Sequence, residues 1–308
     1  MTTAFVTEPA YLALHRSGEL ADRARRALGR LASCDLCARY CRVDRLSGTR
    51  GAVCRTGRWA RVASHGPHRG EERPISGWRG SGTVFFAWCS LRCVFCQNWE
   101  LSQRGLGLEV DAEGLAAMML ELQEIGCHNV NLVTPSHVVA QVLEALVIAA
   151  EAGLRLPLVW NTGGYDNPEA LALLDGVVEI YMPDMKYGDS DLARRYSHVR
   201  EYVQVNRRAV REMHRQVGDL VVDERGVAVR GLLVRHLVLP GDVAGTEEVL
   251  AWIASQVSPD TYLNLMAQYR PCYRAPEQPP LDRRPTPAEY DHARELAGRL
   301  GLRRLDPG

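Results

Sequence analysis

After residue 80 the chain settles into a repeat that few folds can satisfy: a short apolar strand, a polar junction, a helix, then the next strand. Gly82–Trp88 (GTVFFAW) is rich in β-branched and aromatic residues. Asp111–Gly126 opens on a helix-capping residue, carries apolar side chains at helical spacing and stops at a glycine. Asn129–Thr134 is the second strand, broken by Pro135; Ser136 is placed to cap the helix that runs to about Ala152, with Gly153 as its C-cap. Leu158–Trp160, Val177–Met182, Leu232–Leu239 and Tyr262–Met266 continue as strands three to six. Pro168 suits the first turn of the helix after strand three. Polar helices are predicted across residues 189–217, and another helix over Thr246–Val257. Asp223–Gly226 reads as a small hairpin inserted before strand five. Strands separated by helices pair in parallel, and right-handed crossovers curl such a sheet towards a barrel. Six strands instead of eight leave that barrel partial and open.

In parallel barrels, chemistry gathers at the C-terminal strand ends, where the βα loops converge. The polar residues there are therefore read as one site. Cys89, Cys93 and Cys96 follow strand one; Thr134, Ser136 and His137 follow strand two; Asn161 and Thr162 end strand three, before Gly163 and Gly164. Met182, Asp184 and Lys186 come after strand four, and Gln268 after strand six. Arg235 and His236 adjoin in strand five, so they point to opposite faces and only one can enter the cavity.

The three cysteines, in FFAWCSLRCVFCQNWE, have the spacing C-x3-C-x2-C. That register lets three thiolates take three corners of one cubane iron–sulfur cluster and leaves the fourth iron without a protein ligand, whereas ferredoxin-type clusters use four Cys. Phe95 adds an aromatic face just before the third ligand, and Gln97 and Asn98 add amide groups just after it. On these residues the chain resembles the radical SAM superfamily, with its C-x3-C-x-aromatic-C signature, over about Gly82 to Cys272. It is most similar to pyruvate formate-lyase activating enzyme-like proteins, in the longer branch that carries extra N-terminal cysteines. The resemblance implies an α/β fold, a partial (β/α)6 radical SAM barrel with a small N-terminal metal-binding Cys segment. It also implies an oxidoreductase in which S-adenosylmethionine (SAM) chelates the unique iron of a 4Fe-4S cluster and is cleaved to methionine and a 5′-deoxyadenosyl radical. It places Phe95 near the adenine and Asn98 at the nucleoside or cluster edge. Asp184 becomes the ribose- or cation-site acid, with Lys186 beside it approaching the SAM carboxylate. Asn161, Thr162 and Met182 fall on positions lining a monovalent-cation site, where the family commonly has Asp in place of Asn161. The Gly-Gly-Glu usual after strand two is replaced by Thr134-Pro135-Ser136, so those hydroxyls or the backbone would meet the methionyl amine. The implied partners are an electron donor such as flavodoxin or ferredoxin and a glycyl-radical enzyme; a small molecule or peptide is the alternative substrate.

A second set, Cys34, Cys37, Cys41 and Cys54, packs four thiols into about twenty residues with Gly48 and Gly51 between. It suits one tetrahedral zinc or one iron–sulfur cluster, serving structure or electron relay. The Arg residues of this segment (Arg39, Arg42, Arg45, Arg50, Arg55, Arg58) form either a docking face or a solvated basic surface. A rival reading from another class is a noncatalytic metal-binding module that recognises nucleic acid or protein through this segment. Lys plus Arg and Asp plus Glu are both 37, so neutral charge and the lack of a nucleic-acid fold speak against it. Seven of nine Cys in two tight groups read as metal binding in a reducing, cytoplasmic setting. Met1–Leu20 lacks the pattern of a signal peptide, and no run reaches the roughly 18 apolar residues of a membrane span. Cys127 reads as a core thiol. Cys272, past strand six, is either a small buried hydrophobe or a hydrogen donor at the site. The expected organisation is a helical, Cys-rich segment over residues 1–80, the barrel core over 81–272 and an extension over 273–308, whose proline-rich start leads to a helix at Pro287–Leu300.

Overall fold

All six predicted strands form in the computed structural model, which describes residues 8–307. Residues 1–7 of the stretch read for a targeting signal lie outside that range. Helices α1 (Tyr11–Arg16) and α2 (Glu19–Gly29) precede the Cys-rich loop, after which β1 (Ala60–His68) and the single turn α3 (Arg73–Ser76) lead into β2 (Ser81–Phe86). There follow α4 (Trp99–Ser102), β3 (Leu108–Val110), α5 (Ala112–Ile125), β4 (Val130–Val133), α6 (Val139–Glu151), β5 (Leu158–Thr162), α7 (Pro168–Leu171) and β6 (Ile180–Pro183). The chain continues through α8 (Ser190–Ser197), α9 (Tyr202–Val217), β7 (Val221–Val222), β8 (Ala228–Leu237), α10 (Thr246–Gln256), β9 (Tyr262–Met266), α11 (Pro287–Arg299) and β10 (Arg304–Leu305).

The strands run in the order β10-β9-β8-β6-β5-β4-β2-β1-β3. Neighbours from β2 to β10 are parallel, while β1 is antiparallel to both β2 and β3. The outermost strands are not partners, so the sheet curls without closing. The predicted hairpin exists as β7 paired antiparallel to β8. The sequence reading missed β1, β3 and β10. Gly66 and Pro67 interrupt β1, and β3 and β10 are only three and two residues long.

The strands alternate between two apolar environments. Val84, Leu132, Trp160, Tyr181, Val234 and Leu263 point outwards and bury against Leu115, Met119, Leu146, Met213 and Ile253 of the surrounding helices. Val159, Ile180, Met182 and Leu233 point inwards and form a plug with Ile75 and Leu220. Helix α6 (VAQVLEALVIAAE) is apolar nearly all round because α2 packs on its outer side, so both faces are buried. Asp111 caps α5 as expected, its Oδ1 accepting the Gly114 N–H at 2.8 Å. Thr286 and Glu289 form a reciprocal capping box on α11. Ser136 does not cap α6: the N-cap is Val138, with no side-chain bond, and the serine hydroxyl is engaged elsewhere.

Candidate active site

Strand β2 ends in a sharp reversal at Trp88, which has left-handed backbone (φ 65°) and sends the following loop across the mouth of the barrel. That loop carries Cys89, Cys93 and Cys96, and it is pinned from both sides. Arg92 N–H donates to Ser197 O (3.0 Å) and Val94 N–H to Tyr196 O (2.8 Å) at the end of α8; Arg274 N–H from the C-terminal segment reaches Val94 O (2.9 Å). Each thiol also has its own partner. Leu91 N–H donates to Cys89 Sγ (3.3 Å), the Ser197 hydroxyl donates to Cys93 Sγ (2.9 Å), and Cys96 Sγ lies 3.1 Å from Ser102 Oγ. Burial pushes the Cys89 thiol up to about 12 and Cys93 up to about 11, and raises Cys96 as well. Metal uptake here must therefore expel protons, and affinity rises with pH.

All three thiols line one cavity of about 330 Å³ at the C-terminal ends of the strands, within the size range of small-molecule sites, roughly 300–1,000 Å³. Asn98, Thr134, Asn161, Thr162, Asp184, Lys186 and Gln268 line the same cavity. The remaining expected site residues lie behind it. Phe95 packs edge-on between Tyr187 (6.4 Å between ring centres) and Tyr269 (6.1 Å). Met182 belongs to the apolar plug below. Ser136 Oγ lies 2.8 Å from Thr162 Oγ1, which donates to buried Asp166 at 2.6 Å, so Ser136 steadies a cavity wall from outside. Among the described residues no three His, Cys, Asp or Glu side chains close on a single-ion point; spacing, burial and shared surroundings mark both thiol sets.

The polar floor of the cavity centres on a residue that the sequence left ambiguous. Of Arg235 and His236, Arg235 enters the lumen, where Nε donates to Asp184 Oδ1 (2.8 Å) and NH2 to Asn161 Oδ1 (2.7 Å). His236 is fully buried on the other face between Met185 O (2.6 Å) and Thr246 Oγ1 (3.1 Å). The guanidinium thus engages one oxygen each of Asn161 and Asp184, two residues that the resemblance assigned to the cation or ribose site. Lys186 pairs with the second Asp184 oxygen. Burial alone would raise Asp184, but the charges of Arg235 and Lys186 outweigh it and hold the carboxyl below its usual range. Glu71 and Glu72, on the turn after β1, complete the floor at 3.7 and 3.8 Å from Arg235, and burial raises Glu71. Sequence reasoning missed both because β1 was missed. Their signal was a pair of adjacent acids between Gly70 and Arg73-Pro74.

The turn after β5 lets the loops approach closely. A Cβ on Gly163 would stand 2.7 Å from Leu91 Cδ1, and one on Gly164, where φ is 72°, would collide with Asn206 and the Asp184 carbonyl. Thr134 holds left-handed backbone (φ 63°) with its N–H on Asn161 O (2.8 Å), unusual for a β-branched residue and of the kind that clusters at functional sites.

Residues 83–242 match the family model of the Radical SAM superfamily. The chain belongs to the radical SAM superfamily. Membership implies a 4Fe-4S cluster and SAM, and three hydrogen-bonded thiols beside a pocket, Cys93 buried and Cys89 and Cys96 half-buried, suit them. The radical SAM chain is also similar to uncharacterized protein MJ0674 of Methanocaldococcus jannaschii, 31% identical over 279 residues, covering 88% of this chain and 75% of that protein. Among solved structures, a radical SAM methyltransferase from Sphaerobacter thermophilus aligns over 74% of this chain and 67% of its own at 16% identity, with a TM-score of 0.45.

Proposed function

We propose that this protein cleaves SAM reductively at a 4Fe-4S cluster held by Cys89, Cys93 and Cys96, and directs the resulting radical at a substrate C–H bond inside the barrel. One observation carries the reading: the three thiols open onto the same cavity as the polar residues from the ends of β4, β5, β6 and β8. Bound together, cluster and SAM supply one-electron cleavage of the sulfonium C–S bond to methionine and a 5′-deoxyadenosyl radical. The chain's own residues supply the setting. The donors from Leu91, Ser197 and Ser102 stabilise thiolate charge. Lys186 sets an ammonium beside the thiols, placed to meet a carboxylate, while Asn98, Thr134 and Gln268 offer neutral hydrogen-bonding groups. Phe85, Leu91 and Val133 form apolar walls that keep water and quenchers away. With Arg235 on Asn161 and Asp184, the floor needs no monovalent cation.

The substrate class comes from the resemblance alone: a glycyl residue of a partner enzyme, or a small molecule or peptide. The same holds for a flavodoxin or ferredoxin donor. No described helix is long and apolar enough to cross a membrane.

The test is anaerobic reconstitution with iron and sulfide, reduction with dithionite, addition of SAM, and chromatography for 5′-deoxyadenosine. Product from the native chain and none from Cys93→Ala is expected. No product from a fully loaded, folded chain overturns the reading.

A further inference from the structure

The Cys-rich segment surrounds a charge that needs a partner. Arg45 is 1% exposed, and its guanidinium donates to Thr56 O (2.6 Å), His137 O (2.8 Å), Gly57 O (3.4 Å) and Cys34 Sγ (3.3 Å). Among the described residues no carboxylate pairs with it, although arginine cannot shed its proton and an unpaired buried charge costs several kcal/mol. The groups gathered here are thiols instead. Cys34, Cys37 and Cys54 are buried, Cys41 is half-buried, and Cys37 lies within electrostatic reach of the other three. Four neutral thiols would leave Arg45 uncompensated. Four thiolates around a metal centre form a dianion, whether the centre is zinc or a 4Fe-4S cubane.

The choice between those two follows from where the segment is tied. Arg39, between Cys37 and Cys41, donates from Nε to the carbonyl of Ser90, the residue after Cys89 (2.6 Å). Arg92, the residue before Cys93, donates to the carbonyl of Val53, the residue before Cys54. The ring of Trp88, just before Cys89, is covered by Arg55, just after Cys54 (5.0 Å), and by Arg92 (5.7 Å). Three contacts thus join a neighbour of one thiol set to a neighbour of the other, so the two loops pack directly on one another. Zinc has no redox state to pass along such a path.

We propose that Cys34, Cys37, Cys41 and Cys54 hold a second 4Fe-4S cluster, with Arg45 as its buried counter-charge, which relays electrons to the centre at Cys89, Cys93 and Cys96. One electron from a low-potential donor protein of the flavodoxin or ferredoxin class reduces the second centre and passes to the first; no bond breaks and no proton moves. A cleft of about 260 Å³ at the same seam, lined by Arg55, Arg92, His198 and Arg274 among others and by no acidic residue, matches the negative surface of such a donor. The relay, and with it the choice of iron over zinc, rests on the radical SAM reading; metal binding by the four thiols does not.

Metal and sulfide analysis of the anaerobically prepared full chain decides the site. About eight irons and eight sulfides are expected, and about four of each in the Cys89→Ser/Cys93→Ser/Cys96→Ser variant. Four irons with one zinc, or four irons alone, in the native chain overturns the proposal without recourse to any variant. Arg45→Met is expected to lose at least half of the second-site iron, and full retention removes its counter-charge role. For the relay, the electron paramagnetic resonance spectrum of the reduced native chain should be broadened relative to the sum of two single-cluster variants, the second being Cys34→Ser/Cys54→Ser; a plain sum overturns the relay. Failure of the SAM-cleavage reading looks different: both clusters present, spins coupled, and no 5′-deoxyadenosine.

Discussion

Cys89, Cys93 and Cys96 stand on the wall of a cavity shared by four strand ends, whereas Cys34, Cys37 and Cys54 are closed in around a buried guanidinium. The charges around them differ in the same way. Asp184, Glu71 and Glu72 accompany Arg235 and Lys186 in the cavity, so each charge there has an opposite charge beside it before any ligand arrives. Arg45 has only carbonyls and sulfur. On the cluster assignments proposed above, the three-thiol set beside an opening would keep one position for an exchangeable ligand, and the four-thiol set around its own counter-charge would keep none. Within one chain, thiol count and solvent access vary together.

The sharpest way to break this contrast is to remove one ligand from each set. With dithionite as electron source, Cys93→Ala should lower 5′-deoxyadenosine formation to background while Cys34→Ala keeps most of it; equal losses would erase the distinction. Next in size is Arg235→Ala, which leaves three buried acids with only Lys186. It should cost about 3–5 kcal/mol in chemical denaturation, as removal of one member of a buried ionic network does. A loss under about 1 kcal/mol would mean that the cavity charges are not coupled.

Acidification probes the wall between the two sets. His137 is fully buried, its carbonyl on Arg45 and its Nε2 3.1 Å from Ala87 O, and burial lowers it to about 3. Its folded value lies below the unfolded one near 6.5, so its contribution is complete above that pH. The contribution drains away at up to about 1.4 kcal/mol per pH unit as pH falls from 6.5 towards 3. His137→Gln should flatten that part of the stability profile, and an unchanged slope would assign the acid sensitivity elsewhere. The smallest effect belongs to Arg42→Ala. Arg42 pairs with Asp35 at 2.6 Å but its side chain is 59% exposed, so thermal unfolding should register no more than about 1 kcal/mol. A large loss there would make the Cys segment's outer face as critical as its interior.

Local chemistry explains which of these features were legible in the sequence. Strand β9 (Tyr262–Met266) and helix α10 (Thr246–Gln256) could be read almost to the residue, because apolar period and end signals coincide there. The cysteine register pointed to its cavity for the same reason: the ligands follow a strand that could be recognised. Residues whose partners are distant in sequence could not be placed. Ser136 looks like a cap, yet its hydroxyl meets Thr162, 26 residues on. Arg235 sits in an apolar strand opposite Asp184 and Asn161, contributed by other strands. Of the arginines read as one basic face, Arg45 is internal, Arg39 reaches Ser90 and His198, and Arg58 pairs with Glu144. Cys127 is buried as expected; Cys272, read as either core or site, is half-exposed.

The strand order runs from β10 to β3 without meeting itself, and the join is made by side chains: Asn264 on β9 donates to Glu72 beyond β1 at 2.9 Å, with Arg235 reaching towards both Glu71 and Glu72. A hoop fastened by such a clasp can widen by releasing a few polar contacts while every backbone ladder survives.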